Sequence, residues 1–410
     1  MLSVEEALAR VLAAIPVLGS ETVELTGALG RVLAEPVVAG RDLPPWDNSA
    51  MDGYALRAVD TTEASTERPV RLRILGDVPA GSVAERAVGA GEAYRILTGA
   101  PMPPGTDAVV PQEEVQRDGG AVVVSHPVPG ASFVRPRGED IGAGETVLAP
   151  GSVLGPAAVG VLAALGRALV RVHQRPRVAI LSTGDELVDL DTAPGPGQIA
   201  NSNTYTLSAQ VREAGGVPLN LGIARDTRDD LEEHFRWGLA ADMLVSSAGV
   251  SVGDRDFVRE VMAKLGAELD FWKVSMRPGK PLTFGRVGGR PFFGLPGNPV
   301  SSMVTFELFV RPALRRMAGD PRLFRPRVTA RLAEPLDNPG PRRGYLRVRL
   351  SEAAGSLVAR PTGGQGSGIL KSMLLADALA VMAPDARLAA GQPVEVILLR
   401  SEGQPTTYSG

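Results

Sequence analysis

The sequence predicts a multidomain protein of the α/β plus β class, with a doubly wound α/β domain between β-rich regions. Between about residues 177 and 317, unbroken apolar runs alternate with amphipathic helical patterns, the mark of a parallel sheet covered on both faces. The stretches before and after show short alternating segments separated by clusters of proline and glycine. A length of 410 residues is room for several domains, at roughly 100–200 residues each.

Val4, Leu8, Val11, Leu12 and Ile15 recur at helical spacing, Ser3 and Glu6 can form a capping box, and Pro16 ends this first helix. From about Gly40 to Pro136 no helical period is sustained. Alternating pieces such as 70–75 and 121–124, with a turn cluster at 101–105, predict a β domain inserted before a short buried helix starting near Pro156. The α/β pattern then gives strands at 178–181, 218–223, 243–246 and 293–295. Helices are expected near 203–214, 227–240, 256–265 and 300–317. After Pro321, strands at 328–332, 345–350, 357–359, 378–382 and 394–399 suggest a small barrel or sandwich, and the polar tail from Ser401 is expected to be disordered.

The chain has no cysteine, which excludes disulfides, thiolate zinc sites, iron–sulfur clusters and a cysteine nucleophile. Its 3 histidines, His126, His173 and His234, leave little for an imidazole-ligated metal; His173 and His234 read as surface residues. With 43 Lys+Arg against 46 Asp+Glu, the net charge of −3 gives no global reason to bind nucleic acid. Glu5, Glu6 and Pro16 argue against a secretory signal, and the uncharged run 146–166 is broken by Pro150, Pro156 and several glycines. A cytoplasmic protein without membrane association is expected.

Ligands of open parallel sheets sit at the carboxyl ends of strands. One such end, Ser182-Thr183-Gly184-Asp185-Glu186, carries two carboxylates. Another, 246–256, has small residues (Ser247, Gly249, Ser251) that let backbone amides approach a phosphate, with carboxylates able to hold Mg²⁺. Asp256 alone reads equally as a helix cap. Lys273, Arg277 and Lys280, stiffened by Pro278 and Pro281, make a compact anion site or a solvated basic loop; Pro281 excludes a Walker A loop. Pro296-Gly297-Asn298 leads into a helix, with Asn298 as a sufficient N-cap. In the β insertion, 44–55 reads as a binding loop or a structural turn, and Thr98-Gly99-Ala100 and 137–140 are similarly open. The glycine-rich loop 363–368 could admit an oxyanion.

Together these motifs resemble the molybdopterin molybdenumtransferases, the molybdenum-insertion enzymes similar to the E domain of gephyrin. The resemblance rests on 47–55, 98–100, 137–141, 182–187, 249–256, 277–281 and 296–302, in order along nearly the whole chain. It implies four domains: a discontinuous first one (1–40 and 137–175), the inserted β domain (41–136), an α/β molybdopterin-binding domain (176–320) and a C-terminal β-barrel (321–400). It also implies a homodimer whose active site lies between the α/β domain of one subunit and the β insertion of the other. The implied substrates are adenylylated molybdopterin and molybdate, with Mg²⁺ as cofactor, AMP as leaving product and transient contact with the molybdopterin adenylyltransferase.

Carried onto this chain, Glu186 and Asp256 would hold Mg²⁺, and Lys273, Arg277 and Lys280 would clamp molybdate. Asp52 and Asp226 match important carboxylates. Thr98, Asp140, Ser247, Gly249, Ser251, Pro296, Gly297, Asn298, Arg347 and Ser367 match substrate-side positions, with Arg342 and Arg343 as alternatives to Arg347. Three departures stand out. Ala248 replaces the first glycine of Gly-Gly-Val-Ser, which costs little unless the backbone needs positive φ there. Arg277 stands where lysine is common, and Gly368 where histidine commonly follows the serine. A pterin-holding scaffold and an adenylyl transfer from ATP are the competing functions. The retained carboxylates and cations argue against a pure scaffold.

Overall fold

Ser3 does close a capping box over the first helix, α1 (Val4–Ala14): its hydroxyl accepts from the Glu6 N–H at 3.1 Å and the Glu6 carboxylate accepts from the Ser3 N–H at 2.8 Å. The computed structural model describes residues 1–248, 257–353 and 355–400. Gly249, Ser251, Asp256 and the tail 401–410, for all of which the sequence raised expectations, lie outside the described residues. The chain forms two units, one of residues 1–22, 30–34 and 171 onward, the other of 23–29 and 35–170.

In the first unit a six-stranded sheet combines β1 (Arg177–Thr183), β2 (Val217–Ala224), β3 (Met243–Ser247), β4 (Glu268–Lys273), β5 (Pro281–Val287) and β6 (Arg290–Leu295) in the order β2-β1-β3-β6-β5-β4. The first four are parallel. β5 and β4 continue the sheet antiparallel, so the expected parallel sheet is mixed at one edge. Successive strand residues face opposite sides. Val178, Ile180, Met243 and Val245 pack with α1, α2 (Ser202–Glu213), α5 (Pro299–Thr305) and α6 (Arg311–Met317). Ala179, Leu181 and Leu244 pack with α3 (Arg228–Gly238) and α4 (Phe257–Lys264).

A π turn, Phe306–Val310, joins α5 to α6. There Arg325 donates to Glu307 (2.9 Å) and Glu213 (2.8 Å), and Gln210 donates to Glu307 (3.1 Å). Burial and the neighbouring Arg325 and Arg315 push Arg311 down to about 10.

After α6, β7 (Arg327–Leu332), β8 (Arg343–Ala353), β9 (Ser356–Pro361), β10 (Ala378–Met382) and β11 (Pro393–Leu398) pair in the order β8-β9-β7-β11-β10. The β10–β8 ladder closes the ring. The result is a barrel rather than a sandwich, which leaves no unpaired edge. The short segment Met276–Arg277 adds to the same sheet, parallel to β8, with Arg277 opposite Gly344.

The second unit holds the inserted β domain. Its six-stranded sheet runs, in spatial order, 108–111, 53–56, 92–96, 70–78, 121–124 and 116–118. Gly53 lies so close to the Val110 carbonyl that a Cβ would collide with it. The helix expected near Pro156 is Pro156–Ala164, but of its residues only Leu162 is buried, so it is a largely exposed helix rather than the buried one expected. Among the described residues no helix is long and apolar enough to cross a membrane.

Candidate functional site

A cleft of about 520 Å³ opens at the carboxyl ends of β1, β3 and β6. Glu186, Leu187, Asn201, Asn203, Ser247, Ala248, Pro281 and 296–299 line it. Among the sequence candidates it gathers Glu186, Ser247, Pro296, Gly297 and Asn298. It adds Ile199, Asn201 and Asn203, which sequence reasoning missed, and Leu187, the last residue of the 182–187 motif. The signal was there: two asparagines flank one serine at a helix start, one more amide than a cap requires.

Asn201 is that cap. Its side chain accepts from the Thr204 N–H (3.3 Å) and from the Ser182 hydroxyl (3.1 Å). Asn203 instead donates from Nδ2 to Ser247 Oγ and to the Gly297 carbonyl, both at 2.7 Å, so it ties the ends of β3 and β6 to α2. Asn298 occupies the N-cap position of α5, but its side chain makes no capping bond, which corrects the expected role. The Ser367 carbonyl, from the glycine-rich loop, accepts the Val300 N–H (3.0 Å).

Ala248 has a φ of 70°, the left-handed region that costs a non-glycine residue roughly 1–2 kcal/mol. The departure from glycine therefore does carry strain. At the β1 end, Gly184 leaves room for the Glu186 carboxylate, which folds back over it; a Cβ would strike its oxygens.

Asp226, after β2, takes a backbone bond to Asp185 Oδ1 (3.3 Å). Burial first, then the nearby Asp185 and Glu186 carboxylates, raise its pKa. Ionised Asp226 therefore opposes folding. Its penalty is absent below the ordinary value of 3.8 and complete above the raised one. Asp226→Asn is expected to raise the melting temperature slightly at neutral pH, with the gain fading as pH falls toward 3.8; melts from pH 7 to 4 check it, and a pH-independent difference would refute it.

The basic motif lies beside the cleft. Lys273 ends β4, and Lys280 precedes Pro281, the residue paired with Lys273 across the β4–β5 ladder. All three cations of the motif are exposed, and Arg277 donates to the Pro339 carbonyl at 3.2 Å. Arg347, on β8, is fully buried (0 % exposed). It donates from Nε to Ser372 Oγ and from Nη2 to the Gly366 carbonyl, both at 3.1 Å, while Nη1 has no acceptor among the described residues. Burial and the like charge of Arg277 push it down to about 10. Its two sequence alternatives are engaged elsewhere, Arg342 with the Met276 carbonyl (3.3 Å) and Arg343 with Glu5.

In the second unit, Asp52 and Thr98 come together. Asp52 Oδ1 accepts both the Thr98 N–H and its hydroxyl at 2.8 Å, and these two bonds hold the carboxyl below its ordinary range. Asp140 is exposed and makes no bond to either; its N–H donates to the Leu43 carbonyl. His234, expected at the surface, is only 12 % exposed in its side chain and lies 4.9 Å from the Trp237 ring. Among the described residues no three carboxylates or imidazoles converge as a metal site.

Three family models match the chain: "MoeA N-terminal region (domain I and II)" over residues 2–166, "Probable molybdopterin binding domain" over 179–316, and "MoeA C-terminal region (domain IV)" over 329–399. A molybdopterin molybdenumtransferase of Nostoc sp. is 42% identical over 370 residues, covering 88% of this chain and 85% of that one. One from Staphylococcus aureus is 34% identical over 404 residues, covering 97% and 96%. The crystal structure of a molybdopterin biosynthesis MoeA protein from Pyrococcus horikoshii matches with a TM-score of 0.86 and 34% identity, covering 98% of this chain and all of that one.

Proposed function

The chain belongs to the molybdopterin molybdenumtransferase family, and from that premise we propose that it takes adenylylated molybdopterin and molybdate, cleaves the adenylyl pyrophosphate bond, and releases AMP and molybdenum cofactor. The observation that carries this reading is the pair Arg347 and Arg277. One buried guanidinium keeps an unspent Nη1 donor beside a second cation, an arrangement unfavourable for folding and favourable for a tetrahedral dianion. Lys273 and Lys280 add point charges from the neighbouring ladder, and Ser367 stands on the barrel side. Substrate phosphates would lie along Ser247, Gly249, Ser251 and 296–298.

Mg²⁺ suits this donor set. It takes hard oxygens and commonly uses one or two carboxylates together with phosphate oxygens. Glu186, with Asp256, would hold it; besides burial, the largest cause, the nearby Asp185 and Glu186 carboxylates raise Asp226, and that repulsion is what a cation relieves. When bound, the ion offsets charge on the pyrophosphate. Asp226 would sit beside it. The reading includes the four domains drawn from the sequence and a cytoplasmic homodimer that contacts the adenylyltransferase. In that homodimer Asp52, fixed by Thr98, and Asp140 of one subunit face the α/β domain of the other.

Purified protein incubated with adenylylated molybdopterin, molybdate and Mg²⁺ is expected to release AMP in step with cofactor formation. No AMP above background would refute the proposal, and ATP turnover with unadenylylated molybdopterin would favour the preceding adenylyl transfer instead.

A further inference from the structure

We infer that Asn203 reads the substrate through its amide oxygen and orients Ser247 to read a neighbouring group. The inference rests on the function proposed above for the identity of the ligand, and on geometry for the role.

The helix start does not need Asn203, because Asn201 already caps α2. The orientation of the Asn203 amide is fixed by the Gly297 carbonyl. A carbonyl can only accept, so the nitrogen faces it, and the second N–H goes to Ser247 Oγ. Both donors are thereby spent on the two walls of the cleft. Oδ1 is buried and meets no donor among the described residues. A buried acceptor without a partner is costly, and in a cleft-lining side chain a ligand donor offsets that cost.

The same bond sets the polarity of Ser247. Its Oγ accepts from Asn203, so its own hydrogen turns away from the amide, with no acceptor among the described residues. The side chain is in a residue only 1 % exposed, at the cleft end of β3. The site therefore offers an acceptor next to a donor. It selects a ligand edge with an O–H or N–H beside an oxygen acceptor. An adenylylated pterin presents that edge twice, as ribose hydroxyls and as the ring N–H beside the ring carbonyl.

The test compares wild type with Asn203→Ala, Ser247→Ala, the double variant and the near-isosteric Asn203→Asp, in case alanine impairs folding. Steady-state kinetics should show the KM for adenylylated molybdopterin raised about tenfold in Asn203→Ala, with the KM for molybdate unchanged. The double variant should be no worse than about the larger single effect, because the two residues act as one unit. Asn203→Asp, which loses both donated bonds and adds charge near phosphate, should raise the KM at least as far. Calorimetry with AMP, its 2′- and 3′-deoxy analogues and a simple pterin identifies the source. If the ribose is read, Asn203→Ala weakens AMP and a deoxy analogue binds wild type and variant alike. If the ring is read, only the pterin weakens.

Unchanged affinity for AMP and pterin in folded variants would overturn the inference, as would strictly additive KM effects. A wild type that binds these ligands but releases no AMP would count against the proposed reaction and leave the role of Asn203 to the binding data.

Discussion

Replacing Arg347 with methionine is expected to raise the KM for molybdate at least about a hundredfold while leaving the protein as stable as wild type, or more so. The two halves follow from one geometry. Two charge-assisted bonds to a dianion are worth about 3 kcal/mol, which is roughly a hundredfold in affinity. Burying the guanidinium, by contrast, costs free energy that its bonds to Ser372 and Gly366 offset only in part, and Arg277 adds like-charge repulsion. Exchanging a buried charge for an apolar chain of similar length is often neutral or stabilising. Molybdate titrations and thermal melts on the same preparations check both halves. A lowered melting temperature with an unchanged KM would make Arg347 a structural residue of the barrel.

Mixed dimers carry the second large effect. In the proposed homodimer, Asp52→Ala and Lys280→Ala are each expected to lose on the order of a hundredfold in turnover, since under that reading each removes a charge at the reacting groups. If a site takes Asp52 from one subunit and Lys280 from the other, a dimer of one variant chain with the other has one doubly damaged site and one intact site. Such dimers should recover about half of wild-type turnover. Differently tagged chains, co-expressed and purified as heterodimers, give the measurement. Heterodimers as inactive as their parents would show that each site is built within a single chain. The Asp52→Ala homodimer needs a fold control, because Asp52 receives both Thr98 bonds.

Much of the fold was legible because period and punctuation agreed. The capping box at Ser3, the proline at the start of 156–164 and the apolar runs of β1 and β3 all have local causes. The antiparallel edge was not. β5 contains Gly285, which reads as a breaker, yet the Glu268 carbonyl passes so close that only glycine fits. Strand 70–78 likewise runs past the expected end at Leu75, through Gly76 and an irregular register between Ile74 and Asp77.

At the site, residue types were readable and partnerships were not. The cationic motif stood out by composition. Nothing local distinguished Arg347 from Arg342 and Arg343, since the difference lies in Met276, Glu5 and burial. Asn203 left a local trace in the extra amide at the helix start, but its role did not show, because its partners are 44 and 94 residues away.

The pairing of Met276–Arg277 with β8 has a bearing on how such a site can change. Arg277 lies opposite Gly344, and Arg347 is on the same strand. The separation of the two guanidinia is thus counted in strand residues. Moving Arg347 by one position would turn it to the opposite face of the barrel wall, and moving it by two would shift it by about 7 Å. Both steps are far coarser than the difference in radius between one tetrahedral oxyanion and another. If these two arginines hold the oxyanion as proposed, refinement toward a larger or smaller anion is left to side-chain length and to the loop between Arg277 and Pro281, while the ladder itself behaves as a ruler with only wide graduations.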